Sequence, residues 1–275
     1  MSAPLSFRAE WARQVGRRRT KILLGVLLAL PLVFMGAFAL DRGGSGGRGS
    51  GTGTGFVSLA TSSGANFTVF TVFVASELLL YIVAALLVGD PVPTEASWSS
   101  LRYLLTAPVQ RGRLLRSKVL VGLSHVALAL LILPAWTLLL GVFAYGTGSF
   151  VAPGGGTLTL GELLPRLGLA LAYIFVTVLP IAAVAFWVGV RLDSPLGAVG
   201  AALVVYIISG ILDTIEALGS WRNGLPGHYS RAYLDLLQST IDWTAMRHGV
   251  LWSVLWALVF FALGWRRFAR KDILS

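Results

Sequence analysis

Few side chains in this sequence could do chemistry, and most lie beside or within long apolar runs. There is no cysteine, which excludes disulfides, thiolate metal sites and a cysteine nucleophile. The three histidines, His125, His228 and His248, fall in separate segments, and no His-Glu-x-x-His pair offers a zinc site. No Gly-x-Ser-x-Gly elbow presents a serine nucleophile. Eight glycines crowd between Gly43 and Gly55, but no Gly-Lys-Ser/Thr accompanies them and no strand precedes them. Nothing there cradles a nucleotide phosphate. One carboxylate, Glu77, stands near the middle of an apolar run, with Tyr81 one turn on and able to bond it. A carboxylate at mid-membrane costs about 2.5–3.5 kcal/mol on insertion scales, so it must face a cavity or a neighbouring helix. Glu77 is then either a polar point on a path or between protomers, or a buried glutamate satisfied by nearby hydroxyls.

The most informative polar stretch is Asp90 to Lys118, with basic residues Arg102, Arg111, Arg113, Arg116 and Lys118. Within it Trp98, Leu101, Leu104 and Leu105 recur at helical spacing, opposite Ser99, Arg102 and Thr106. Thr94 is placed to cap this helix, Glu95 to favour its first turn, and Pro108 to end it. A short amphipathic helix at a membrane face suits a docking surface for a soluble partner.

These residues need elements to hold them, and the composition says which. Of 275 residues 56% are hydrophobic and only 12% charged, with mean hydropathy +0.78. That charged share is about half of a soluble domain's. The pattern predicts an all-α polytopic membrane protein of one transmembrane domain, residues 1–275, with six spans at about 22–40, 67–88, 119–143, 167–190, 196–218 and 249–265. Residues 1–21 carry Phe7, Trp11 and Val15 at spacing four among Arg8, Arg13, Arg17, Arg18, Arg19 and Lys21. This predicts an N-terminal amphipathic helix on the inner leaflet, its arginines on lipid phosphates; the alternative is a basic tail that only obeys topology. Asp41 to Gly55 reads as a flexible link, and Tyr145 to Pro165 as an outer loop. Pro134 and Pro180 lie inside spans and can bend them. Gly197 and Ala201, with Ala198 and Ala202 offset, have the small-residue spacing of close helix contact. Gly219 to His248 reads as an outer connection with short interfacial helices at Tyr233 to Leu237 and Ile241 to Met246.

The net charge of +10 would point to nucleic acid in a soluble protein. Here it follows topology. With six spans, sixteen of the 22 Lys and Arg fall on the side of the termini and of the Asp90–Lys118 loop. The six on the opposite side are Arg42, Arg48, Arg166, Arg222, Arg231 and Arg247. This bias predicts cytoplasmic termini and a cytoplasmic loop in a bacterial-type plasma (inner) membrane, with no nucleic-acid partner.

The order Glu95, Ser100-Leu101-Arg102-Tyr103-Leu104-Leu105, Pro108, Arg111, Leu114-Leu115, Lys118 resembles the loop after the second span in permease subunits of type-2 ATP-binding-cassette (ABC) exporters. The match is close in this loop and topological elsewhere. The resemblance implies that the loop holds a coupling helix. Glu95, Leu101, Arg102, Leu104, Leu105, Pro108, Arg111 and Lys118 would then couple it to a separate ABC ATPase subunit. It further implies that this chain is not itself an enzyme and takes no cofactor, with ATP and magnesium bound on the ATPase. The membrane partner would be a second copy or a paralogous permease, with Glu77, Tyr81, Gly197 and Ala201 on the translocation path or dimer interface. The alternatives are a stand-alone secondary transporter or channel, which related halves would favour, and an intramembrane enzyme.

Overall fold

A computed structural model describes residues 7–43, 52–97, 111–153, 155–192, 194–238 and 240–270. The elements are α1 (Phe7–Gly16), α2 (Arg18–Gly43), α3 (Thr52–Ala60), α4 (Gly64–Glu77), α5 (Leu79–Gly89), α6 (Pro91–Ser97) and α7 (Arg111–Tyr145). A short antiparallel pair follows, β1 (Phe150–Val151) with β2 (Thr157–Leu158), then α8 (Leu160–Arg191), α9 (Pro195–Asp213) and α10 (Thr244–Ala269). Two 3₁₀ segments, Glu216–Gly224 and Ala232–Leu237, join α9 to α10.

Among the described residues, α2, α7, α8, α9 and α10 are each long and apolar enough to cross a membrane. The pair α4–α5, bent by 56°, makes a sixth span when taken as one broken helix. The architecture is therefore the all-α polytopic one that hydropathy predicts, with local differences. The second span breaks at Leu78, whose φ of −147° and ψ of −41° leave the helix. No proline or glycine marks the break. The Tyr206 hydroxyl of α9 donates to the Glu77 carbonyl at 2.6 Å, satisfying a backbone group at the break. The link after the first span turns helical at Thr52, a propensity masked by its glycines, and the fifth span ends at Asp213 rather than near 218. Tyr145 to Pro165 holds the β pair and the first turn of α8 rather than loop alone.

Caps set several boundaries. The Ser63 hydroxyl accepts from Asn66 N–H and starts α4; Ser194 does the same for Gly197, with Pro195 at the first position of α9. Thr159 and Glu162 form a capping box on α8. Glu162 Oε2 accepts from the Thr159 backbone N–H and from its hydroxyl, each at 2.9 Å.

Helix α8 is the centre of the bundle: 72% of its apolar window is buried, against 17% for α2. Helices α4, α5, α9 and α10 pack around it. The α5–α8 contact depends on small residues, since a Cβ on Gly189 would stand 2.6 Å from the Gly89 carbonyl oxygen. At one end of the bundle Trp265 of α10 lies beside Gly112 at the start of α7, and α1 packs against α2 and α7. Helix α1, the C-terminal part of α10 and the two ends of the Asp90–Lys118 stretch therefore share one end.

Candidate functional site

Among the described residues the densest polar cluster sits at that end, where three carboxylates meet four cations. Its centre is Lys118, in the second turn of α7 and 3% exposed. Its Nζ donates to Glu95 Oε1 at 2.5 Å and to Glu10 Oε1 at 3.0 Å. Glu10 (α1) and Glu95 (α6) are both buried. Arg13 adds its Nη1 to Glu95 at 3.1 Å and to Glu10 Oε2 at 3.4 Å. Arg17 bridges outward, 3.6 Å from Glu95 and 3.8 Å from Asp90. Arg19 bonds Asp90, which also accepts from the Thr94 hydroxyl at 2.9 Å. Buried ions are costly unless paired and hydrogen-bonded, and this arrangement pairs each of them.

Apolar and amide contacts fix α1 in the same place. Gln14 donates to the Leu87 carbonyl at 3.0 Å. Trp11 stacks on His125 with ring centroids 4.0 Å apart, and the His125 Nδ1 lies 2.8 Å from the Val121 carbonyl oxygen. His125 is thus a packing residue. A Cβ on Gly122 would sit 2.6 Å from the Leu87 carbonyl oxygen, so α7 meets α5 closely beneath the cluster.

This placement corrects two expectations. The arginines at 13, 17 and 19 reach carboxylates of the same chain rather than lipid phosphates, because Glu10, Asp90 and Glu95 are buried within their reach. Thr94 stands within a helix rather than at the start of one. It lies inside α6, which begins at Pro91, and its hydroxyl points back to Asp90. Of the residues singled out for coupling, Glu95 and Lys118 face each other inside the chain, and Arg111 begins α7. Leu101, Arg102, Leu104, Leu105 and Pro108 lie outside the described residues.

A second polar group lies at the break between α4 and α5. Glu77 takes a bidentate pair from Arg231, Nε at 2.8 Å and Nη2 at 2.6 Å. Arg231 precedes the second 3₁₀ segment, whose Tyr233, Leu236 and Leu237 are buried, so this part of the connection packs into the bundle. Tyr233 follows it inward, its hydroxyl 2.8 Å from Ser76 Oγ, and Tyr173 donates to the Tyr229 carbonyl at 2.7 Å. Tyr81 is fully buried and stacks on Tyr206 at 3.9 Å rather than bonding Glu77. Ile241 to Trp243 is not helical and α10 starts at Thr244. On α9 the buried small residues are Ala198 and Ala202, while Gly197 and Ala201 stand half-buried beside them.

Sequence reasoning missed Glu10, Asp90 and Arg231. Glu10 carried a signal, as the sole acidic residue among the first 21. Arg231 carried none, being 154 positions from its partner.

Residues 16–210 match a family model described as ABC-2 family transporter protein, well over half of the chain. No curated protein matches the chain.

Proposed function

The chain belongs to the ABC-2 family of transporter proteins and is a membrane permease component of an ABC transporter, and from that premise we propose that it is half of a dimeric exporter permease driven by a separate ATPase docked on the loop 90–118. The observation that carries this reading is the Lys118–Glu95 pair. It joins the two ends of that loop and ties both to α1 through Glu10 and Arg13. A loop closed in this way passes a push to α5, α6 and α7 together instead of absorbing it. Glu95 and Lys118 act as positioning residues, and contact with the ATPase falls to Leu101 and Leu105 with Arg102 and Arg111 at the rim. Leu101 and Leu105 are four apart and share a helical face.

In this reading ATP and magnesium stay on the ATPase, and the permease responds by rigid-body movement of its helices between inward and outward access. The termini are cytoplasmic in a bacterial-type inner membrane, as the basic bias favours. The second permease is a copy or a paralogue. Half-buried Gly197 and Ala201, and the partly exposed Glu77–Arg231 pair, suit a face toward that partner or toward the path.

The test is Leu101→Asp with Leu105→Asp. Burying two leucines contributes about 3–6 kcal/mol before ordering costs, whereas rim arginines set mainly orientation and on-rate. The double variant is expected to insert and melt like wild type but to lose the ATPase in pull-down. A lowered melting temperature with retained ATPase binding would refute the assignment, because the leucines would then pack on this chain's own spans.

A further inference from the structure

At the end of the bundle away from α1 and Lys118, a cavity of about 390 Å³ opens between α3, α4, the β pair and the second 3₁₀ segment. Its wall is formed by Val69, Phe70 and Phe73 of α4, by Leu234 and Leu237, and by Phe56 of α3. Glu77 lies one turn beyond Phe73 on the same face of α4, and Arg231 one turn before Leu234. The cavity is therefore a slot. On α4 its lining runs from Asn66 to Phe73 and stops one turn short of Glu77.

The walls of the slot are almost wholly hydrocarbon. Its polar wall residues are Asn66 and Gln238. Asn66 is spent, donating to the Val151 carbonyl at 2.8 Å and accepting from the Val151 N–H at 2.9 Å. A buried water needs two to four polar partners, and an apolar cavity of roughly 150 Å³ already prefers a hydrocarbon guest. One wall ends in charge. Arg166 Nη1 donates to the Leu236 carbonyl at 3.2 Å and to the carbonyl of the lining residue Gln238 at 2.8 Å, which anchors a half-buried guanidinium beside that wall. The nearest carboxylate on its helix, Glu162, is engaged by Thr159.

We propose that this slot takes one acyl chain of a phospholipid from the leaflet opposite the termini, with Arg166 on the lipid phosphate. A guanidinium at the rim and hydrocarbon walls below reproduce the order of a lipid, phosphate outside and methylenes inside. The lipid is the outer-leaflet one in the topology proposed above, but the site does not depend on the docking of an ATPase.

The experiment uses the full chain in phosphatidylcholine nanodiscs doped with phosphatidylglycerol bearing a diazirine in mid-chain. Crosslinks are mapped by mass spectrometry. We expect them to concentrate on residues 66–73 and 234–238, above the exposed face of α10 at Leu251, Leu255 and Leu258. Val69→Trp and, separately, Leu234→Trp should fill the slot and cut labelling there by about tenfold, with labelling of α10 unchanged. Arg166→Gln should weaken labelling by phosphatidylglycerol but not by a diazirine diacylglycerol, which has no phosphate. Labelling of the slot no stronger than that of α10 overturns the proposal in the wild-type protein alone, whatever the variants do. Crosslinks unaffected by both tryptophans, or joining two protein chains through residue 69, also overturn it. An equal loss of both probes in Arg166→Gln overturns the phosphate assignment.

Discussion

Glu77 shows how one residue's energetics lead to a partner. An ionised carboxylate within a span demands compensation, and it receives a guanidinium from a segment that returns into the bundle. The geometry is bidentate, which adds direction to charge. Arg231 is 65% exposed and Glu77 33%, so the pair contributes less than a fully buried one would. Arg231→Glu and Glu77→Arg each place like charges together and should cost about 1–3 kcal/mol, seen as a lower melting temperature of the purified protein. The exchange of both residues should recover most of that loss. A double variant no more stable than the worse single one would mean that the bundle, not the pair, positions this segment.

At the scale of elements, α1, α6 and α7 are one unit. Neither α1 nor α6 has contact enough to be fixed alone: α1 is a ten-residue helix and α6 a seven-residue helix, both too short to be stable in isolation. They hold because Glu10 and Glu95 share Lys118. Lys118→Met leaves two buried carboxylates without their cation and should cost about 3–5 kcal/mol. Arg13 and Arg17 remain near Glu95 and soften the loss. Lys118→Met with Glu10→Gln and Glu95→Gln removes the uncompensated charge and should restore stability in part. If Lys118→Met melted like wild type, the loop ends would be held by packing, and the closure assigned to this pair would fail. The broken span is the other element-scale feature, since its freed backbone is satisfied by a tyrosine from α9.

For the whole molecule, the six-span topology puts Gly47 and Gly112 on opposite sides. The chain has no cysteine, so a single Gly47→Cys or Gly112→Cys can be labelled with an impermeant thiol reagent against no background. Gly47→Cys should react in intact cells and Gly112→Cys only after the membrane is opened. Protection of Gly47→Cys in intact cells would overturn the six-span arrangement. The packing agrees with it in one respect: Trp265 near the C-terminal end and α1 near the N-terminal end meet α7 at the same pole.

What the sequence determined by itself is what depends on local transfer energy. About twenty apolar residues in a row must cross the bilayer; the spans and the helical start at Phe7 and Trp11 were legible for that reason. The tertiary structure decided everything that rests on pairs distant in the chain. Arg13 meets Glu95 across 82 positions, Lys118 meets Glu10 across 108 and Arg231 meets Glu77 across 154. No periodicity encodes such distances. The bend at Leu78 belongs with them, since its own residues are apolar and helix-compatible and its stabilising donors come from α9 and the returning segment. The slot above it is likewise a product of packing, because Val69 and Leu234 are ordinary apolar residues until two elements leave space between them.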